Sequence, residues 1–61
     1  MIDGQQQRKA LSAAEQALKA LESGDASRAR TAAAEAVALD QVAAYDGLVA
    51  AVDGAATDIE S

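Results

Sequence analysis

The 61-residue chain has no cysteine, histidine, proline, tryptophan or phenylalanine, and Tyr45 is its one aromatic residue. Without cysteine no disulfide can brace the fold, and without cysteine or histidine a structural zinc site has no ligands. The same two absences remove the thiol nucleophile and the usual general base of enzyme sites. No apolar run approaches the about 20 residues that a membrane-spanning helix needs, nor is there a signal-peptide core. A cytoplasmic location is the resulting expectation. With no proline and few β-branched or aromatic residues, little in the chain favours strands.

What the chain does have is alanine. Of its 31 apolar residues 18 are Ala, which leaves five Leu, four Val, two Ile, Met1 and Tyr45 as larger apolar side chains. Alanine is the strongest helix former, so the expected class is all-α: an antiparallel helical hairpin plus a third helix, forming one small three-helix bundle over residues 1–61. Such a domain draws only about 3–5 kcal/mol from a single core. Charge is unevenly spread. Residues 1–30 hold five basic and four acidic groups, whereas residues 31–61 hold six acids (Glu35, Asp40, Asp46, Asp53, Asp58, Glu60) and no base. A chain of net charge −5 repels phosphate backbones, which argues against a nucleic-acid partner.

Periodicity predicts helices at about 5–22, 26–39 and 41–58. In the first, Leu11, Ala14, Leu18 and Leu21 alternate three- and four-residue steps along one stripe. Glu15 precedes Lys19 by four residues, the favourable order for a helical ion pair. Both Asp3 with Gln6 and Ser12 with Glu15 read as capping boxes, and the good helix formers from Gln5 to Leu11 favour the earlier start. Ser23-Gly24-Asp25 supplies a left-handed glycine stop and the next N-cap. The second helix carries an inner stripe of Ala29, Ala32, Ala33, Ala36 and Val37, with Leu39 near its end. Its outer face carries Arg28, Arg30, Thr31 and Glu35, and the leucines of the first helix are expected against its alanines. Asp40 can end this helix or cap the next.

The third segment contains a seven-residue echo: Tyr45-Asp46-Gly47, Val52-Asp53-Gly54 and Ile59-Glu60-Ser61. Val42, Tyr45, Val49, Val52, Ala56 and Ile59 follow the 3–4 spacing of a bundle seam. Opposite them lie Ala43, Gly47, Ala50, Ala51 and Gly54, with Asp46 and Asp53 as an acidic ridge between. A helical glycine costs about 1 kcal/mol relative to alanine. Three alternatives stand: Gly47 and Gly54 admit another helix at close range, the Asp-Gly pairs mark turns or fraying, or the glycines have no special role. On the first alternative Gly47, Ala50, Ala51 and Gly54 form a candidate partner interface. The expected packing residues are Leu11, Leu18, Leu21, Val37, Leu39, Val42, Tyr45, Val49 and Val52.

Residues Ala17 to Asp40 resemble the middle and end of a tetratricopeptide repeat. Gly24-Asp25 matches that family's inter-helix turn, Ala29 and Ala36 its two small packing positions, Leu39-Asp40 its closing dipeptide, and Ala17 the small residue of its first helix. Gln41 stands where the family usually has Pro, and its large aromatic positions are Ala or Gln here. The resemblance implies a helix-turn-helix scaffold for protein–protein contact without catalysis. It brings no binding residues, because the Lys/Asn clamp that some members use has no counterpart.

A search for other chemistry is short. No nucleophile-elbow pattern surrounds Ser12, Ser23, Ser27 or Ser61. The glycines are isolated and make no phosphate loop, and the Asp53–Glu60 acids lack calcium-loop spacing. Asp46 and Asp53 stand about 10.5 Å apart along a helix axis, with no obvious cleft to close on a substrate. Arg28 and Arg30 diverge by about 200° around their helix and do not form one DNA-reading face. No segment pairs an apolar face with a basic one as membrane-surface helices do. The expectation is therefore a non-catalytic interaction or scaffold module, without cofactor, metal or small-molecule substrate, that meets a protein partner or itself. A structural oligomerising subunit, or an acidic peptide that folds on a basic protein, is the alternative.

Overall fold

The computed structural model describes residues 4–61, which form three helices: α1 (Gly4–Glu22), α2 (Ala26–Leu39) and α3 (Ala43–Glu60). The chain is all-α, a hairpin of α1 and α2 with α3 packed mainly on α2 and less extensively on α1. The early start of α1 holds, since Ser12 lies well inside the helix; the Asp3 half of the other capping box lies outside the described residues.

The α1–α2 turn follows the sequence closely. Gly24 takes φ +78°, and the Asp25 and Gly24 amides donate to the Ala20 and Leu21 carbonyls at 2.8 and 3.0 Å. This is the paired 6→1 and 5→2 closure that satisfies the last carbonyls of a helix. The Asp25 carboxylate then accepts from the Arg28 amide at 3.1 Å and caps α2. The second junction differs from expectation. Asp40 ends α2, its amide donating to the Ala36 carbonyl, but its side chain does not cap α3. Instead Val42 is the N-cap, in extended backbone (φ −114°, ψ 152°) and without a side-chain hydrogen bond. Helix α3 thus begins two residues later than predicted and runs on to Glu60. Both Asp-Gly pairs lie inside it, so they mark neither turns nor a frayed end.

The core is built from the smallest side chains. Ala10, Ala13, Ala14, Ala17 and Ala20 of α1 meet Ala26, Ala29, Ala32, Ala33 and Ala36 of α2, and α3 adds Val52 and Ala56. One cluster joins Ala17 and Ala20 to Ala29, Ala32, Ala33 and Val52; a second joins Ala13 and Ala14 to Ala36. The reversed order across the pair makes α1 and α2 antiparallel. Tyr45 packs on the second cluster and Val52 on the first, so α3 runs alongside α1 in the same direction.

The inner stripe predicted for α2 is the one observed. For α1 the prediction holds only in part: Ala14 is buried and Leu21 packs half-buried on the core, but the buried stripe lies about one residue around the helix from Leu11 and Leu18, which are 55% and 50% exposed. An alanine face lets two helix backbones approach closely, and a leucine in that contact would hold them apart. In the seam expected for α3, Val52 and Ala56 are buried and Tyr45 and Val49 half-buried; Leu48, outside that seam, is half-buried as well. Val42 and Ile59 are exposed, because the first is the cap outside the helix and the second sits in its last turn. Leu21, Val37 and Leu39 are half-buried at the edges of the core.

The molecule measures 42 × 18 × 12 Å. Its longest helix, at 19 residues, spans only about 28 Å, so the parallel α1 and α3 are staggered along their axes.

Candidate functional site

Two surfaces stand out once the helices are placed. The first is the outward face of α1. Leu11 and Leu18 stand seven residues apart on it, two turns along the same side. Arg8, Glu15 and Glu22 follow one edge of this stripe at the same interval, and all three are exposed. The expected Glu15–Lys19 pair does not form; among the described residues the ion pairs are Arg28–Asp25, Arg30–Asp53 and Arg30–Glu60.

The second surface is the outward face of α3, with the four predicted interface residues Gly47, Ala50, Ala51 and Gly54. All four are exposed, opposite the buried Val52 and Ala56. A Cβ added at Gly47 or Gly54 would meet nothing within 4 Å, so no close approach inside this chain requires either glycine. Their helical cost is left uncompensated by the chain's own packing.

Between α2 and α3 lies a polar clamp that the sequence reading missed. Arg30, expected on the outer face of α2, instead reaches across to α3. Its Nε donates to Asp53 at 3.1 Å, and its Nη2 donates to Thr57 Oγ1 at 3.3 Å and pairs with Glu60 at 2.7 Å. Thr57 holds its place by donating in turn to the Asp53 carbonyl at 2.9 Å. These bonds raise the Arg30 pKa, chiefly through Glu60 and then Asp53, and the guanidinium holds the Glu60 carboxyl below its ordinary range. The missed signal was the spacing of Asp53, Thr57 and Glu60 along one edge of a helix. The divergence of Arg28 and Arg30 was its complement: with Arg28 turned to solvent, Arg30 turns toward the neighbouring helix.

The concave spaces are shallow and open. One of about 290 Å³ lies against Arg30, Ala33, Asp46, Val49, Ala50 and Asp53, where Asp53 is already engaged by Arg30. Another, of about 370 Å³, lies between α1 and α2 beside Lys9, Ser12, Glu35 and Leu39. Among the described residues no polar or charged side chain is buried, and no three carboxylates converge as metal ligands. No helix among them is long and apolar enough to cross a membrane. Comparison with protein-family models, curated proteins and solved structures gives no match.

Proposed function

We propose that the chain is a non-catalytic helical module for protein–protein contact, a scaffold unit resembling a tetratricopeptide repeat, and that it associates through the leucine face of α1. The observation that carries the reading is an inversion of side-chain size, with alanines inside and Leu11 and Leu18 about half exposed. Fully burying a leucine is worth about 1.5–3 kcal/mol, whereas one methyl group is worth about 0.8 kcal/mol. Because each leucine is already about half covered, a partner surface gains about 0.75–1.5 kcal/mol from it, on the order of what the core gains from one or two methyl groups.

The surface area supports the same reading. A compact monomer of 6.1 kDa exposes about 3,650 Å², and this chain exposes 4116 Å². Gly47, Ala50, Ala51 and Gly54 are a second contact surface under this proposal, supported by their exposure and by the open space above both glycines. The partner is a protein or a second copy; the acidic composition disfavours nucleic acid. The absence of cysteine accords with a cytoplasmic setting.

The test is a Leu11→Gln/Leu18→Gln variant followed by circular dichroism melting. Residues that serve contact rather than folding leave the melt of the isolated monomer nearly unchanged, within about 0.5 kcal/mol per site. A loss of several kcal/mol would place the leucines in the core and sink the proposal. For the α3 surface, Gly54→Leu adds bulk where a close partner would sit, and unchanged association would remove that surface from the proposal.

A further inference from the structure

Resting on the proposed leucine face, we infer that its occupant is a second copy of this chain, docked with α1 antiparallel to its mate across a two-fold axis. A two-fold interface must be self-complementary, each residue meeting one that meets it in return. Either helix direction meets that condition, but only the antiparallel one also sets opposite charges of the α1 face against each other. In a parallel, in-register pair Arg8 would face Arg8 and Glu22 would face Glu22 of the mate, stacking like charges at both ends.

Reversing one helix exchanges Leu11 with Leu18 and Arg8 with Glu22. The midpoint of the leucine pair and the midpoint of the charged pair differ by half a residue, about 0.75 Å along the axis. One axis thus serves both exchanges. Each leucine then meets the other copy's leucine, and each end of the interface carries one Arg8–Glu22 pair. Glu15 falls at the axis beside its own mate. Lys19 stands one turn further on and is unpaired within its own helix, so its ammonium is available to those carboxylates. Arg8, Leu11, Glu15, Leu18, Lys19 and Glu22 are all exposed in the monomer, so docking needs no rearrangement of the fold.

The experiment is sedimentation equilibrium of the full chain up to about 1 mM, where even a weak dimer is populated. It uses the wild type, Arg8→Glu, Glu22→Arg, the Arg8→Glu/Glu22→Arg double variant and Leu11→Gln/Leu18→Gln. The expected result is a monomer–dimer equilibrium that Leu11→Gln/Leu18→Gln abolishes. Each charge reversal weakens it about three- to tenfold, and the double reversal restores it. None of these variants touches a buried residue, and a circular dichroism melt of each checks that the monomer is intact. A wild type that stays monomeric overturns the second-copy assignment, as does a trimer or higher species. A dimer lost in the leucine variant but indifferent to the charge reversals overturns the antiparallel pairing and leaves the leucine face standing. A dimer that survives the leucine variant overturns both.

Discussion

Among the described residues Val52 is the one large side chain that the fold encloses completely, at 1% exposure in a cluster with five buried alanines (Ala17, Ala20, Ala29, Ala32 and Ala33) and the half-buried Leu21, Leu48 and Val49. Replacing it with alanine removes two methyl groups from a contact that α1, α2 and α3 share. Val52→Ala is expected to destabilise the chain by about 2 kcal/mol, read as the shift in a urea or thermal melt. Leu18, larger but half exposed, is expected to lose little when replaced by Gln. The order of these two effects, smaller residue first, is the opposite of what hydrophobicity alone predicts. Ala29→Leu should cost about 1–3 kcal/mol, because Ala29 is completely buried at the close contact between α1 and α2. Residue identity was legible where backbone conformation decides it: Gly24 at positive φ and Asp25 as N-cap follow from their chemistry alone. The phase of α1 was not. A hydrophobic pattern weights Leu11 and Leu18 above Ala10 and Ala17, but the geometry of an alanine-faced partner helix rewards small size.

At the scale of the helices, α3 is held to α2 by a thin apolar contact and by the Arg30 clamp. The glycines inside α3 weaken it without an intrachain return, since a Cβ at either position meets open space. Gly47→Ala and Gly54→Ala are each expected to stabilise the fold by about 1 kcal/mol, raising the melting temperature by about 4–8 °C per site. The clamp adds a pH dependence whose sign follows from Glu60. Its carboxyl is depressed by Arg30 in the folded chain, so the contribution is present above the ordinary carboxylate pKa and is lost as pH falls through the lowered value. Protection of the amides in the last two turns of α3, measured against the intrinsic exchange rate (which itself slows over this range), should therefore drop between neutral pH and pH 3. Arg30→Gln should abolish that drop; a drop that persists in the variant would assign it to other carboxylates. The clamp was hidden in the sequence because Asp53 reads with Asp46 as an acidic ridge on one helix and nothing along the chain points Glu60 at Arg30. Only the antiparallel placement of α2 and α3 brings Arg30 beside Asp53 and Glu60.

The whole molecule is a staggered three-helix assembly, long and thin, whose enclosed volume is filled mostly by methyl groups. Its helical class and its hairpin could be read from composition and from the Ser23-Gly24-Asp25 turn, but its surplus of exposed leucine could not, because that surplus exists only once the alanines have been paired. A fold of this kind has little stability in hand, and anything that binds the folded state adds to it by mass action. If the leucine face pairs with a second copy, the melting temperature must rise with protein concentration. The ligand here is the free monomer, so at a total concentration about a hundred times the dissociation constant the added stability is about 1.6 kcal/mol, with no binding to the unfolded chain. Circular dichroism melts over a hundredfold concentration range should therefore shift upward for the wild type and superimpose for Leu11→Gln/Leu18→Gln. Wild-type melts that superimpose while sedimentation shows a dimer would mean that the melted chain associates as strongly as the folded one, so that the association is not specific to the folded leucine face.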